Sequence, residues 1–295
     1  NIKTKIIAIT GSCGKTSLKE LLVNTLNKFE NLSFSPKSYN NKYGVPLSLF
    51  NINKNDDFGI FEVGMDKKGE IDYLSDIIKP DLAVITNISY AHAKNFKNLK
   101  QIALAKSEIM NNIVTGGSIV LNADDRFYKF HRKIALRKKL KVYSFSVFKK
   151  NATVNLISIK KEKTKFKAII NVNSQKKYFF VSSNFENNLK NLLAAITVIS
   201  IFKDIKTLNK NIFYNYQVPH GRGDFSKVKI NGKNIFLIDE SYNSNPLSLK
   251  SSINNFDLID SKNNKKHLIL GDMLELGRHS KKLHLEMSAI INSSS

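Results

Sequence analysis

The stretch that decides the fold runs from residue 5 to residue 20 and reads KIIAITGSCGKTSLKE. An apolar run ends at Thr10, a loop with two glycines follows, and a helical pattern begins at Lys15. This order predicts a phosphate-binding loop, because the backbone N–H groups and helix dipole at such a loop favour anions. Lys15 would bring a positive charge to the phosphates of a nucleoside triphosphate, and the Thr16 hydroxyl is a candidate Mg²⁺ ligand.

The loop has the short form Gly-x-x-Gly-Lys-Thr, because Ile9 stands where the longer phosphate-loop pattern has a glycine. The alternative interpretation is an ordinary strand, turn and helix with a solvated lysine. The preceding strand and the following helix favour the phosphate loop. Cys13 lies inside the loop, and we interpret it as a tolerated small residue, since no base is evident beside it.

The composition is that of a globular protein with room for two domains: 295 residues, of which 42% are hydrophobic. The apolar runs are shorter than the roughly 18 residues that a membrane span needs. A single cysteine excludes an internal disulfide and fits a reducing compartment. No signal peptide precedes the first strand, so we expect a cytoplasmic protein without membrane insertion.

The net charge of +23 raises the alternative of a nucleotide-dependent, nucleic-acid-binding protein. Only five of the 47 basic residues are arginines, although arginine is the residue best suited to bidentate contacts with nucleic acids. The lysines are also spread along the chain. We therefore expect no nucleic-acid partner, and a steep salt dependence of DNA affinity would favour the alternative.

Apolar strands alternate with helical patterns from residue 6 to residue 145, which predicts an α/β fold with a parallel sheet covered by helices. Residues 152–182 are rich in β patterns without helices and predict a small antiparallel side sheet. After the turn at 218–223 we expect a second, smaller α/β domain. It contains a hairpin around Asn231, a helix from Pro246 and a strand at 266–270.

Polar residues follow the predicted strands where ligands bind in open α/β sheets. Glu62 ends one strand and is a candidate Mg²⁺ ligand, and His92 lies in the loop after the next strand. Lys106 follows 14 residues later in a predicted helix. The acidic and amide-rich turn 239–246 suits the edge of a base and a ribose. The structural alternatives are a solvated carboxylate or lysine, a structural histidine, and a plain helix cap at Asn245.

Together, these motifs resemble the Mur ligase family, whose members add amino acids or peptides to the cell-wall precursor. The matching runs are 10–17, 40–47, 62–65, 79–88, 105–109, 241–246 and 270–277. The last run, LGDMLELG, is similar to that of the members that add D-alanyl-D-alanine to a UDP-N-acetylmuramoyl-tripeptide. It argues against folylpolyglutamate synthase, a rival with the same architecture; another Mur-type amino-acid ligase is a further alternative.

The resemblance implies an ATP-dependent ligase that forms an acyl phosphate, with ATP and Mg²⁺ as cofactors and the tripeptide precursor and D-alanyl-D-alanine as substrates. It also implies a central ATP-binding domain over residues 1–217 and a truncated, Rossmann-like C-terminal domain over 218–295. The family's N-terminal UDP-binding domain is absent from this sequence. We expect a monomer.

The family's site residues carry over by motif. The catalytic set is Lys15, His92, Lys106 and Arg222. The phosphate-loop contacts are Gly11, Ser12, Cys13, Gly14, Lys15, Thr16 and Ser17. The Mg²⁺ ligands are Thr16, Glu62, His92 and Lys106, the last as a carbamylated lysine. The other nucleotide contacts are Asn188 and Asn191 at adenine, Arg222 at the phosphates, and Asp239, Glu240, Asn243 and Asn245. The contacts to the precursor are Asn40 and Asn41. Residues 184–188 read NFENN where many relatives have Gly-x-His-Asn.

Overall fold

The structure is a computed structural model that describes residues 4–259 and 265–293. The strands are Lys5–Thr10 (β1), Leu32–Phe34 (β2), Phe58–Glu62 (β3), Leu82–Ile85 (β4), Ser118–Asn122 (β5), Lys141–Ser146 (β6), Val154–Glu162 (β7), Lys165–Val172 (β8), Gln175–Val181 (β9), Asp224–Ile230 (β10) and Lys233–Asp239 (β11). The helices are Lys15–Leu26 (α1), Gly44–Leu49 (α2), Glu70–Ile78 (α3), Leu99–Ser107 (α4), Tyr128–Arg137 (α5), Glu186–Phe202 (α6), Pro246–Asp257 (α7) and Ser280–Asn292 (α8).

One nine-stranded sheet organises the chain, in the order β2-β3-β1-β4-β5-β6-β7-β8-β9. From β2 to β7 in this sheet order, which includes β1, neighbouring strands pair in parallel, while β7, β8 and β9 pair antiparallel. The predicted α/β class is thus confirmed. The antiparallel strands predicted over 152–182 are present, and they extend the edge of the main sheet, because β7 pairs with β6.

Both faces of the sheet are buried, as a parallel sheet covered by helices requires. Ile7 and Ile9 of β1 pack into one core with α1 and α6. Ala8, between them, belongs to the core on the opposite face, together with Ile71 of α3 and Ile102 of α4. The alternation follows from the two-residue period of a strand, so the continuous apolar run of β1 serves two cores.

The segment after residue 217 differs in part from the expectation. The hairpin β10–β11 turns at Asn231 and Gly232, both with positive φ, which is the backbone that such a tight turn needs. Asn245 caps α7, with Pro246 in its first turn. The predicted strand at 266–270 was wrong, since these residues have no regular secondary structure. A strand needs a neighbour's hydrogen bonds, and β10 and β11 pair only with each other among the described residues.

The outer limits of the two expected domains, residues 1 and 295, lie outside the described residues. The C-terminal segment nevertheless packs on the central body. Met273, Leu276, Leu283 and Met287 are buried in the same core as α3 and α4. Within the described part of the chain, we find no helix with the length and apolar character that crossing a bilayer demands.

Candidate functional site

The candidate site lies where β1, β3 and β4 end side by side. In the parallel register, Ile9 of β1 pairs with Glu62 of β3, and Thr10 pairs with Ile85 of β4. The three loops that leave these strands therefore emerge at one edge of the sheet, where ligands bind in open α/β folds.

Two glycines shape the loop between β1 and α1. A Cβ atom on Gly11, where φ is +146°, would lie 1.9 Å from the hydroxyl oxygen of Thr86. Gly14 has φ of +80° at the start of α1, and a Cβ there would lie 2.9 Å from the side-chain oxygen of Asn191. Neither position accommodates a side chain without displacement of its neighbour, which explains the spacing of the two glycines.

Asn87, which follows β4, holds the loop between β1 and α1 in place. The backbone N–H groups of Ser12 and Cys13 donate to Asn87, at 3.0 Å to its carbonyl and 2.9 Å to its side-chain oxygen. The N–H groups in the first turn of α1 are the ones that a helix leaves without an intrahelical partner. They are therefore the donors that this loop can offer to an anion. Lys15 folds over the loop, and its Nζ donates to the Gly11 carbonyl at 3.0 Å.

Thr16, Glu62 and Asn40 meet at the start of α1. The buried Glu62 carboxylate accepts a hydrogen bond of 2.8 Å from the Thr16 hydroxyl and another of 2.8 Å from the Asn40 amide. Ser38 lies 3.3 Å from the same hydroxyl. A hydroxyl and a carboxylate in contact, 46 residues apart in sequence, form a set of hard oxygen donors. This set suits Mg²⁺, so the residues fit the cation that the resemblance implies.

Two further basic side chains, Lys106 and His92, lie within electrostatic reach of Lys15. Lys106 on α4 is buried, and burial together with the positive charge of Lys15 holds the pKa of its amine well below its usual range. The pKa of His92 is lowered by burial, against the opposing effect of Glu275. Its Nδ1 atom lies against a carboxylate oxygen of Glu275 and 3.4 Å from Asp66. Both basic groups are therefore disposed toward the neutral state.

The segment after residue 217 reaches the site at two residues of the predicted set. The Arg222 guanidinium donates to Ser38 at 3.3 Å and stacks 4.1 Å from the centre of the Tyr242 ring. Asn245, while capping α7, has its side-chain atoms 3.0 and 3.2 Å from the Cys13 sulfur. The helix-cap alternative and the contact with the phosphate loop are thus both realised at Asn245.

The other predicted residues are placed less directly. Asn191 of α6 lies against Gly14, and Asn188 precedes it by about one helical turn. Asp239 accepts the backbone N–H of Ser241, and burial raises the pKa of Glu240. The remaining ones are the exposed Asn243, Ser17 in the first turn of α1, and Asn41, whose side chain accepts two backbone N–H groups at the start of α2.

Several residues at the site were missed by the sequence reading. Asn87 and Ser38 hold the phosphate loop and its surroundings, and the fully buried Lys19 donates to two backbone carbonyls of the loop that carries Ser38. Glu275 lies in the quoted run 270–277, yet its contact with His92 was not foreseen. Asn87 could have been predicted from its place directly after a predicted strand, next to Thr86. Lys19 in a helix and Ser38 in a loop have no sequence feature that predicts these contacts.

Comparisons with known proteins find similar sequences and folds. A family model described as "Mur ligase middle domain" matches residues 9–199. UDP-N-acetylmuramoyl-tripeptide–D-alanyl-D-alanine ligase of Rickettsia prowazekii is 34% identical over 97% of the chain, which covers 63% of that relative. The chain thus spans about three-fifths of the length of the curated relatives that it matches.

Solved structures give the same picture. A structure of MurF from Acinetobacter baumannii is 28% identical with a TM-score of 0.87, covering 97% of this chain and 61% of that one. A structure of MurF ligase from Thermotoga maritima in complex with ADP is 26% identical with a TM-score of 0.87, covering 100% of this chain and 66% of that one.

Proposed function

The chain belongs to the Mur ligase family, and from this premise we propose that it works in an ATP-dependent ligase that joins D-alanyl-D-alanine to UDP-N-acetylmuramoyl-tripeptide. The observation that carries the proposal is the contact between the Thr16 hydroxyl and the Glu62 carboxylate, beside a phosphate loop built by Gly11 and Gly14. The named relative that is 34% identical over 97% of the chain supports the choice of substrates.

The proposed reaction has two steps. The terminal carboxylate of the tripeptide attacks the γ-phosphorus of ATP, which forms an acyl phosphate and releases ADP. The amine of D-alanyl-D-alanine then attacks the acyl carbon, and phosphate leaves as the peptide bond forms. Both steps depend on neutralising and aligning anionic groups, so the protein contributes mainly through charge and position.

The residues of this chain would divide that work. The first turn of α1 and Lys15 would bind the phosphates, and Arg222 would add a second cationic group from the far side of Ser38. Thr16 and Glu62 would hold Mg²⁺, with His92 and a carbamylated Lys106 as the family's further ligands. Bound Mg²⁺ supplies positive charge that offsets the repulsion between the carboxylate and the triphosphate.

The low pKa of Lys106 supports its carbamylation. Burial and the nearby Lys15 disfavour the ammonium, and only a neutral amine can react with CO₂. The carbamate nitrogen retains one hydrogen after a proton is released, and the new group carries an anionic oxygen. Such an oxygen suits a hard cation where an ammonium would repel it.

We further propose the division into a central ATP-binding domain over residues 1–217 and a C-terminal domain from 218. Asn188 and Asn191 would bind adenine, Asp239, Glu240, Asn243 and Asn245 would contact the nucleotide, and Asn40 and Asn41 would face the precursor. We also propose that the protein is a cytoplasmic monomer and that it has no nucleic-acid partner.

The test incubates the full-length protein with ATP, Mg²⁺, UDP-N-acetylmuramoyl-tripeptide and D-alanyl-D-alanine, and follows ADP release and product mass. We expect one ADP per pentapeptide product and no turnover when either substrate is omitted. Parallel reactions replace the substrates with folate and glutamate, or replace the dipeptide with single amino acids. Turnover in either parallel reaction, without pentapeptide formation, would favour folylpolyglutamate synthase or another Mur-type ligase.

A further inference from the structure

The run 270–277, together with His279 just after it, contacts the loop that carries His92. The Lys94 N–H donates to the Glu275 carbonyl at 2.8 Å, and the His279 ring lies 3.0 Å from the Phe96 carbonyl. Met273 and Leu276 on either side of Glu275 are buried in the core of the central body. Backbone hydrogen bonds and apolar packing thus set the position of Glu275 relative to this loop.

Glu275 and His92 meet in unusual backbone conformations. Glu275 has φ of +61° and His92 has φ of +53°, and both lie in the left-handed region that side chains with a Cβ rarely adopt. Such conformations persist only where the surroundings enforce them, and they cluster at functional sites. The two strained residues bring their side chains into contact, with Glu275 Oε2 against His92 Nδ1.

The contact has a chemical consequence for the imidazole. The contact lacks hydrogen-bond geometry. A carboxylate beside Nδ1 nevertheless favours the neutral tautomer with its proton on Nδ1, which leaves the lone pair of Nε2 free, as in metal-binding histidines. Lys94 Nζ, 3.6 Å from the other oxygen of Glu275, holds the carboxylate from the opposite side. Asp66 also approaches Nδ1, at 3.4 Å, but its side chain is more exposed than that of Glu275.

We propose that Glu275 is a positioning residue that fixes the ring of His92 for cation binding, so that docking of the run 270–277 completes the cation site of the central body. This inference rests on the proposed function, because that function gives His92 its role at Mg²⁺. The motif assigns no role to Glu275, and the proposal gives it one. The run 270–277 thereby acquires a structural role at the site.

The test compares E275Q, E275D and the matched control E286Q. Glu286 lies on α8 and pairs with Lys282 one turn away. The first readout is the ¹⁵N signals of the His92 ring in the metal-free protein, which report its tautomer. The second is the affinity for Mn²⁺ in the presence of ADP, measured by electron paramagnetic resonance.

We expect E275Q to mix the two ring tautomers and to weaken Mn²⁺ binding by about 10- to 100-fold, the range seen for such supporting carboxylates. E275D should recover part of the affinity, and E286Q should behave as the wild type. Unchanged ring signals and Mn²⁺ affinity in a folded E275Q protein would overturn the proposal. If E275Q fails to fold, the same readouts on E275D decide, since a shorter carboxylate must still alter the tautomer balance.

The two proposals can fail separately. Altered ring signals in E275Q, together with a wild-type protein that makes no pentapeptide, would contradict only the proposed function. Normal pentapeptide formation with unchanged ring signals in E275Q would contradict only the role of Glu275.

Discussion

Replacing the buried Lys19 by methionine should damage the site without touching any residue that binds a ligand. Lys19 Nζ donates to the backbone carbonyls of Ser35 and Lys37, both at 2.5 Å, and lies 2.8 Å from the Glu20 carboxylate. These carbonyls anchor the loop that carries Ser38 and Asn40. In K19M the side-chain volume is kept, while both carbonyls lose their charged donor.

The magnitude follows from these contacts. Two hydrogen bonds from a charged donor contribute roughly 1.5–3 kcal/mol each. The removed ammonium no longer has to be desolvated, which offsets part of that loss. We expect a net loss of about 2–4 kcal/mol in the free energy of unfolding. This corresponds to a fall of roughly 5–10 °C in Tm for a domain of this size. Displacement of Asn40 from Glu62 should lower kcat/KM by roughly 10- to 100-fold.

The assay combines thermal unfolding with ADP release, and K28M is the matched control. Lys28 also donates to one backbone carbonyl, that of Ile212 at 3.0 Å, but it lies outside the loops that form the site. Because Lys28 is exposed, so that water can replace its hydrogen bond, K28M should lose about 1 kcal/mol or less and keep its kcat/KM. If K19M melts within about 1 °C of the wild type and matches K28M in kcat/KM, then Lys19 does not hold this loop.

Three further results are expected. K15A should lose nearly all ATP turnover, since removal of one group directed at developing charge costs roughly 100- to 1,000-fold in kcat; ADP release at a near-normal rate would contradict the phosphate-loop assignment. K106A should lose activity and regain part of it with acetate or propionate, which can fill the gap with an anionic oxygen; full activity without them would refute the carbamate. Burial lowers the pKa of His131, whose Nε2 lies 3.0 Å from the Ala103 carbonyl. Because the unfolded chain then binds more protons, the free energy of unfolding should fall as the pH drops below about 6.5. Urea midpoints at pH 7.5 and 5.5 should differ less in H131Q than in the wild type, and an equal difference would exclude His131 as a source.

The sequence predicted the parts of the molecule that depend on local pattern. The apolar run of β1 ends where a glycine loop begins, and parallel strands put their carboxyl ends at one edge. Those two rules were enough to expect Glu62 near Thr16, although 46 residues separate them. The same logic predicted the hairpin turn at Asn231, because its backbone requirement is satisfied by neighbouring residues alone.

What the sequence could not predict depends on partners without a sequence signature. Lys19 follows helical periodicity like any solvated lysine, and its acceptors are backbone carbonyls that any residue could provide. The segment 266–270 has the apolar pattern of a strand, but a strand also needs an adjacent edge. Ile269 is 94% exposed, so the apolar pattern alone did not produce a buried strand.

Two of the contacts that the C-terminal segment makes with the site differ in kind, and the difference bears on how the site is assembled. Asn245 meets Cys13 through an amide and a thiol, a weakly hydrogen-bonding pair that can separate at little cost. Glu275 meets His92 through a carboxylate whose backbone is tied to Lys94 and flanked by buried apolar side chains. The contact at the phosphate loop is therefore the one suited to open for nucleotide exchange, while the contact at His92 is suited to persist. On this reasoning the run 270–277 belongs structurally to the proposed cation site, although α7 and the hairpin separate it in sequence from the proposed central domain.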